Sequence, residues 1–389
     1  MDTMSQVARH TLPPRVAYAD GVVYASQGRL FALSAEDGRM VTEYDIHSHQ
    51  AVAVVEGVIY AGVTTKNECG DLFSAYQATD AATGACVWTA PVHGRPYFAP
   101  LVTEGSVLVA VVEGTLYSLD RATGQLRWRY RPHGFHIAGP VMAGGVAYFS
   151  PVVNEPEAAF VYALDASSGR LMWRAGLPAT THTRLAVHRD SLYAAAPNGG
   201  GLLALDRHTG ARLWWRPPVA DPVSCPVVTE GILSLVCART RFDPAALAAS
   251  SSDTLPDPFT RSVELIGMRA EDGGLLWEQP IGSGDGVTHA GEPSAGAALF
   301  CVGADDGALY AFDSRTGAPR WTCTSGGEQT SEALVVNGTV YFGASDGNVY
   351  ALSAATGELR WRAFTSMDLY AVVRLSAGPL SLDRAGDLP

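Results

Sequence analysis

LYSLDRATGQLRWRY (residues 116–130) returns as VYALDASSGRLMWRA (161–175), LLALDRHTGARLWWR (202–216), LYAFDSRTGAPRWTC (309–323) and VYALSAATGELRWRA (349–363). Each copy reads as strand, turn, strand: an alternating apolar run, a polar stretch ending in glycine, and a second run carrying tryptophan. The turn glycines are Gly38, Gly84, Gly124, Gly169, Gly210, Gly273, Gly317 and Gly357. Seven of them are followed four residues later by Trp88, Trp128, Trp173, Trp214, Trp277, Trp321 and Trp361, while Thr42 stands where the first tryptophan would fall. Upstream of each phrase lies a second hairpin, such as PLVTEGSVLVAVV (100–112) or ALVVNGTVYFGAS (333–345), with a Glu-Gly or Asn-Gly turn between alternating apolar residues.

Two hairpins per unit make four antiparallel strands, and the turn glycines recur every 40 to 46 residues with one interval of 63. That period is the period of propeller blades. The expected fold is therefore all-β: one eight-bladed β-propeller domain over residues 1–389, closed by N- and C-terminal strands, with the tail LYAVVRLSAGPLSL (369–382) as an extra hairpin able to join the first blade. Glycine fits the turns because they need φ > 0, and the tryptophans are expected to pack over a neighbouring blade's turn and join the ring. Apolar residues at 47% and charged residues at 17% supply a large core. A net charge of −12 speaks against nucleic acid and anionic membrane surfaces as partners. The first residues lack the apolar run of a secretory signal, and no stretch approaches a membrane helix, so the expected location is the cytoplasm. Cys69, Cys86, Cys225, Cys237, Cys301 and Cys323 show no paired spacing and read as reduced thiols.

The repeated phrase resembles the tryptophan-docking motif of the PQQ-like (quinoprotein-like) β-propeller family. That family includes quinone dehydrogenases, an outer-membrane assembly lipoprotein propeller and sensor propellers linked to bacterial kinases. The resemblance implies the fold and admits several functions. Its dehydrogenase branch would bring adjacent cysteines in a vicinal disulfide, a calcium-binding set and a catalytic aspartate. No two cysteines are adjacent here, which argues against pyrroloquinoline quinone as a cofactor.

In a four-stranded blade the connection between blades and the loop between the second and third strands emerge on one face, and insertions fall there. They are TTKNECGD (64–71), VNEPEAA (153–159) and the long stretch 239–262, read as a lid-like loop over the channel mouth. Seven of the ten histidines, His47, His49, His93, His133, His136, His182 and His289, lie in the connections between blades. Counted back from the hairpin turns, His49, Tyr97, His136, His182 and His289 share the start of the innermost strand, with Pro100, Pro140 and Pro226 about three residues on. Arg95 and Arg184 are their neighbours, and Asp221, Asp285, Glu328, Glu332, Asp368 and Tyr370 line the other half of the ring.

Converging imidazoles supply acids, bases or ligands for a divalent metal such as zinc, manganese or iron. The expectation from these residues is a funnel that binds a small polar molecule. His49, Tyr97, His136, His182 and His289 would be catalytic, and the four histidines would be the ligands if a metal is held. Arg95, Arg184, Asp285, Glu328, Glu332 and Tyr370 would hold the substrate. The expected chemistry is non-redox, of lyase, isomerase or cyclase type, in bacterial specialised metabolism. The alternative is a non-catalytic module that binds a protein partner or ligand on the same face.

Overall fold

The structure is a computed structural model that describes residues 15–48, 50, 52–66, 72–96, 98–134, 136–137, 139–153, 159–179, 185–197, 199–218, 220–242, 259–282, 287 and 289–365. Eight antiparallel sheets follow one another as blades 1 to 8, at residues 15–48, 53–91, 101–130, 141–176, 186–216, 227–280, 294–324 and 334–364. Each blade has four strands and the eight form a ring, an eight-bladed β-propeller. In blade 1 the stretch Val22–Ser34 supplies both middle strands: its first half pairs with Arg15–Ala19 and its second half with Met40–Ser48, the halves separated by Gly28 at φ 79°. The first strands of neighbouring blades touch and form the inner wall.

The hairpin between first and second strands is tight. Glu56-Gly57, Glu230-Gly231 and Asn337-Gly338 all have φ > 0 at both positions, as do Asp20-Gly21 and Gly144-Gly145. This is the turn whose twist matches a right-handed hairpin. Ala297-Ala298 adopts the same conformation, at φ 51° and 59°, without a glycine.

Blades are joined by indoles. Trp88 lies over Gly124 of the next blade and its Nε1 donates to the Arg121 carbonyl at 2.9 Å. Trp128 donates to Ala166, Trp173 to Arg207, Trp214 to Ala270 and Trp321 to Ala354, each one blade on. Trp361 closes the ring, lying over Gly38 and donating to the Ala35 carbonyl at 3.0 Å. A Cβ on any of these turn glycines would enter the indole, at 2.6 Å for Gly38. Blade 1 docks without a tryptophan. Thr42 does pair with Ala32, the register that tryptophan holds elsewhere, yet Tyr44 makes the dock: its hydroxyl donates to the Ala81 carbonyl at 2.7 Å beside Gly84. Tyr44 lies two residues further along the same face, and its longer reach replaces the indole. Burial raises its hydroxyl to a pKa of about 12.

The core is a series of apolar clusters between successive blades, the last joining Val23, Ala25 and Leu33 to Tyr341, Val349 and Trp361 across the closure. The tail 369–382 lies outside the described residues. Among the described residues Cys86, Cys225, Cys237, Cys301 and Cys323 are unbridged, and burial pushes the Cys237 and Cys301 thiols up to about 12.

Candidate functional site

The chain leaving one blade runs beside the second strand of the next before starting its own first strand. Pro96 bridges Val111, Ala290 bridges Ala304 and Thr330 bridges Ala344. His136–Ile137 pairs with Pro151–Val152, and Asp221–Pro222 with Cys237 and Ala238. Aligning these pairs on the blade register puts Arg95, His136, Asp221, His289 and Gln329 at one level of the channel mouth. His136 and His289 therefore share a level, as expected. Arg95 takes the place that was assigned to Tyr97 two residues on: blades 3 and 6 carry one more residue between this level and their first strand, and Tyr97 stands one residue nearer its hairpin turn than His136 and His289 do. Gln329, between the named Glu328 and Glu332, was missed for the related reason that counting from turns skips residues of neutral type.

Side chains of the loop between second and third strands pin this level. Glu113 accepts the Arg95 amide at 2.7 Å, Asp305 the His289 amide at 3.0 Å and Ser345 the Gln329 amide at 3.1 Å. A Cβ at Gly94 would lie 2.1 Å from the Glu113 carboxylate, so the approach needs glycine there. His289 is exposed, with Nδ1 3.4 Å from Asp305 and Nε2 3.3 Å from the Arg261 guanidinium. Both ring nitrogens thus face partners within the protein. One turn further in, Cys225 donates its thiol hydrogen to Glu292 at 2.9 Å across blades 6 and 7. Glu332 is half-buried, Glu328 and Arg95 are exposed. Among the described residues no three His, Cys, Asp or Glu side chains come together in a metal-binding group. His49, Tyr97, His182, Arg184, Asp285, Asp368 and Tyr370 lie outside the described residues, and of His136 the backbone alone is described.

Hairpin height sets the relief of this face. In blade 2, Val58–Lys66 pairs with Leu72–Asp80, and in blade 6, Ile232–Phe242 pairs with Phe259–Arg269 along its whole length. Beyond the level at which other blades turn, blade 2 adds three residue pairs and blade 6 five, roughly 10 and 17 Å at strand rise. Blades 2 and 6 are four steps apart in a ring of eight, so the two hairpins face each other across the channel. Above Ala238 and Val263 no third strand covers either arm among the described residues. The base is braced where Arg239 binds Glu264 at 2.7 Å and Glu278 at 3.0 Å. The segment 239–262, expected as a structureless lid, is thus strand in both arms, and its tip (243–258) lies outside the described residues.

A family model described as outer membrane protein assembly factor BamB matches residues 73–241, 152–292 and 246–383, most of the chain. The chain belongs to this BamB family of PQQ-like β-propellers. It is 25% identical to BamB of Yersinia pestis over 77% of this chain and 84% of that one. It is 27% identical to BamB of Burkholderia pseudomallei over 61% of this chain, and there it spans 47% of the relative's length. BamB of Moraxella catarrhalis superposes with a TM-score of 0.60 at 18% identity, covering 88% of this chain and 91% of that one. A quinohemoprotein alcohol dehydrogenase of Pseudomonas putida superposes at 0.61 and 17% identity, covering 86% and 69%. The similar proteins thus include assembly factors and quinoprotein dehydrogenases.

Two expectations are overturned. The lyase, isomerase or cyclase reading has no counterpart among the BamB relatives, which are assembly factors. Of the histidines expected to be catalytic His289 alone has a described side chain, and its imidazole lies against Asp305 and Arg261 within the protein. The cytoplasmic location, and with it specialised metabolism, is overturned by relatives named for outer membrane assembly. That expectation rested on the first residues and on the lack of a stretch resembling a membrane helix, neither of which carries information about the blades.

Proposed function

We propose that this propeller is a non-catalytic binding module that holds an extended segment of a partner protein across its connection face. The observation that carries this reading is the opposed pair of tall hairpins on blades 2 and 6, to whose upper strands no further strand is paired among the described residues. An uncovered edge offers a row of backbone donors and acceptors that an incoming extended chain satisfies without regard to its sequence. Two such edges facing each other over a channel suit a guest that changes from one encounter to the next. The likeness to assembly factors supports the same reading, and by that likeness the partner would take part in assembly at an outer membrane. Protein is favoured over a small molecule because the described mouth residues are spent on pinning backbone.

The test is to select peptides from a random display library on the full chain, then measure them against shortened variants. In one, residues 240–261 are replaced by Asn-Gly, and in the other residues 65–73, which removes three of the five extra pairs of blade 6 and two of the three of blade 2. Both are expected to keep the melting temperature of the ring within a few degrees and to lose binding at least tenfold. Undiminished affinity in both would overturn the proposal.

A further inference from the structure

Blade 3 carries an arginine ladder. In its outermost strand, Leu126–Tyr130, side chains alternate: Trp128 points at blade 4, where it docks, so Arg127, Arg129 and the following Arg131 point at blade 2. Arg127 is neutralised by Asp120 at 2.7 Å. Arg129 and Arg131 have no ion pair or side-chain hydrogen bond among the described residues. They line an open cleft of about 670 Å³ together with His93, Gly94, Glu113, Thr115 and Tyr117. Tyr117 stands directly opposite Arg129 across the strand pair, is buried, and donates its hydroxyl to the His93 carbonyl at 3.2 Å, which fixes the cleft floor. Glu113, the one carboxylate there, is already committed to the Arg95 amide.

Two unneutralised guanidiniums in one cleft are out of keeping with a chain that carries 39 acidic and 27 basic residues. Elsewhere on the outer strands, Arg320 pairs with Asp313 and Arg174 lies 4.7 Å over the Phe160 ring. The cleft shares a face with the connections, since His93 and Gly94 belong to one and Glu113 to the adjoining loop. The spacing is specific as well: residues two apart on a strand project side by side about 6.8 Å apart, the spacing of alternate side chains on any extended peptide. Planar guanidinium forks match carboxylates in bidentate fashion.

We propose that this cleft binds an acidic segment of the partner in extended form, with carboxylates at positions i and i+2 meeting Arg129 and Arg131. This rests on the binding-module reading above and adds which chemistry the guest carries at blade 3. The partner's acidic pair sets where along the face the segment stops, while the hairpin edges hold its backbone.

The experiment uses the full chain and fluorescein-labelled ten-residue peptides containing Glu-Thr-Glu or Gln-Thr-Gln, read by fluorescence anisotropy. Expected are at least tenfold tighter binding of the acidic peptide, loss of that preference in R129Q/R131Q, and weakening from 50 to 300 mM salt. Arg362→Gln, on the outer strand of blade 8, is expected to leave the preference intact. Equal binding of both peptides by the wild type, or an unchanged preference in R129Q/R131Q, would overturn the inference. Inorganic phosphate that binds through Arg129 and Arg131 while the acidic peptide does not would also overturn it, in favour of a small-anion site. If the shortened hairpins lose selected peptides while R129Q/R131Q does not alter the acidic preference, the module stands and this inference falls. The reverse result would keep the cleft and remove the hairpins from the reading.

Discussion

At the scale of single residues the repeat is enforced by backbone geometry, and exceptions show where a residue works against its position. Ala297 and Ala298 are both left-handed and exposed, and Ala298 stands where the matching turns have Gly21, Gly57, Gly145, Gly231 or Gly338. An L-residue with a Cβ pays about 1 kcal/mol there. Ala298→Gly is therefore expected to stabilise the protein by about 1 kcal/mol and raise its melting temperature by roughly 1–2 °C in a chain of this size. Calorimetry of the two proteins checks it, and an unchanged or lower melting temperature contradicts it. Tyr44 shows why residue-level reading fails elsewhere: the tryptophan positions were visible as an interval from glycine, whereas a tyrosine two residues off that interval has no sequence mark. Its role follows from reach, which needs the neighbouring blade in place.

At the scale of the element, the turn before the docking glycine is held by a carboxylate in blades 2, 3, 4, 5 and 7. Asp120 Oδ1 accepts the amides of Ala122 and Thr123 and the Thr123 hydroxyl, and Asp165, Asp206 and Asp313 do likewise in their blades. Hydrogen bonds to the charged form, led for Asp120 by Arg127 and for Asp165 by Ser167, hold both carboxyls down at about 2 from an ordinary 3.8. A depressed value in the folded state means stability that is complete above pH 4 and lost as pH falls through the folded value. Thermal stability is accordingly expected to drop between about pH 4 and pH 2, and Asp120→Asn to flatten part of that drop. A melting temperature constant over that range would refute the assignment. Strands and turns were legible because they obey period two and demand glycine. The level of the channel mouth was not: an extra residue in blade 3, added to a one-residue tolerance in counting from the turns, puts Arg95 in the place given to Tyr97, and only the pairing of Pro96 with Val111 reveals it.

At the scale of the whole molecule, the join between blade 8 and blade 1 is built like the joins inside the chain. Tyr341 lies tilted beside Trp361 with ring centroids 5.8 Å apart, and both donate to the Ala35 carbonyl, as Tyr148 and Trp173 both donate to Arg207. Trp361→Ala and Trp128→Ala are thus expected to cost similar amounts, on the order of 3–5 kcal/mol each, and to lower the midpoint of denaturant unfolding alike. A closure mutant far milder than the internal one would mean that the ring is held at that point by other contacts. Function was the least legible level, because histidines in connections were read as reactive groups, while the loop residues beside them bind backbone. Six of the seven docking indoles donate to a main-chain carbonyl, presented by Ala35, Arg121, Ala166, Arg207, Ala270 or Ala354 without regard to side chain, while Trp277 packs over Gly317 with no acceptor for its Nε1 among the described residues. No blade therefore carries an address for its neighbour. Lineages are free to duplicate, drop or reshuffle these units as cassettes, and blade number can drift by recombination with no new interface having to be invented.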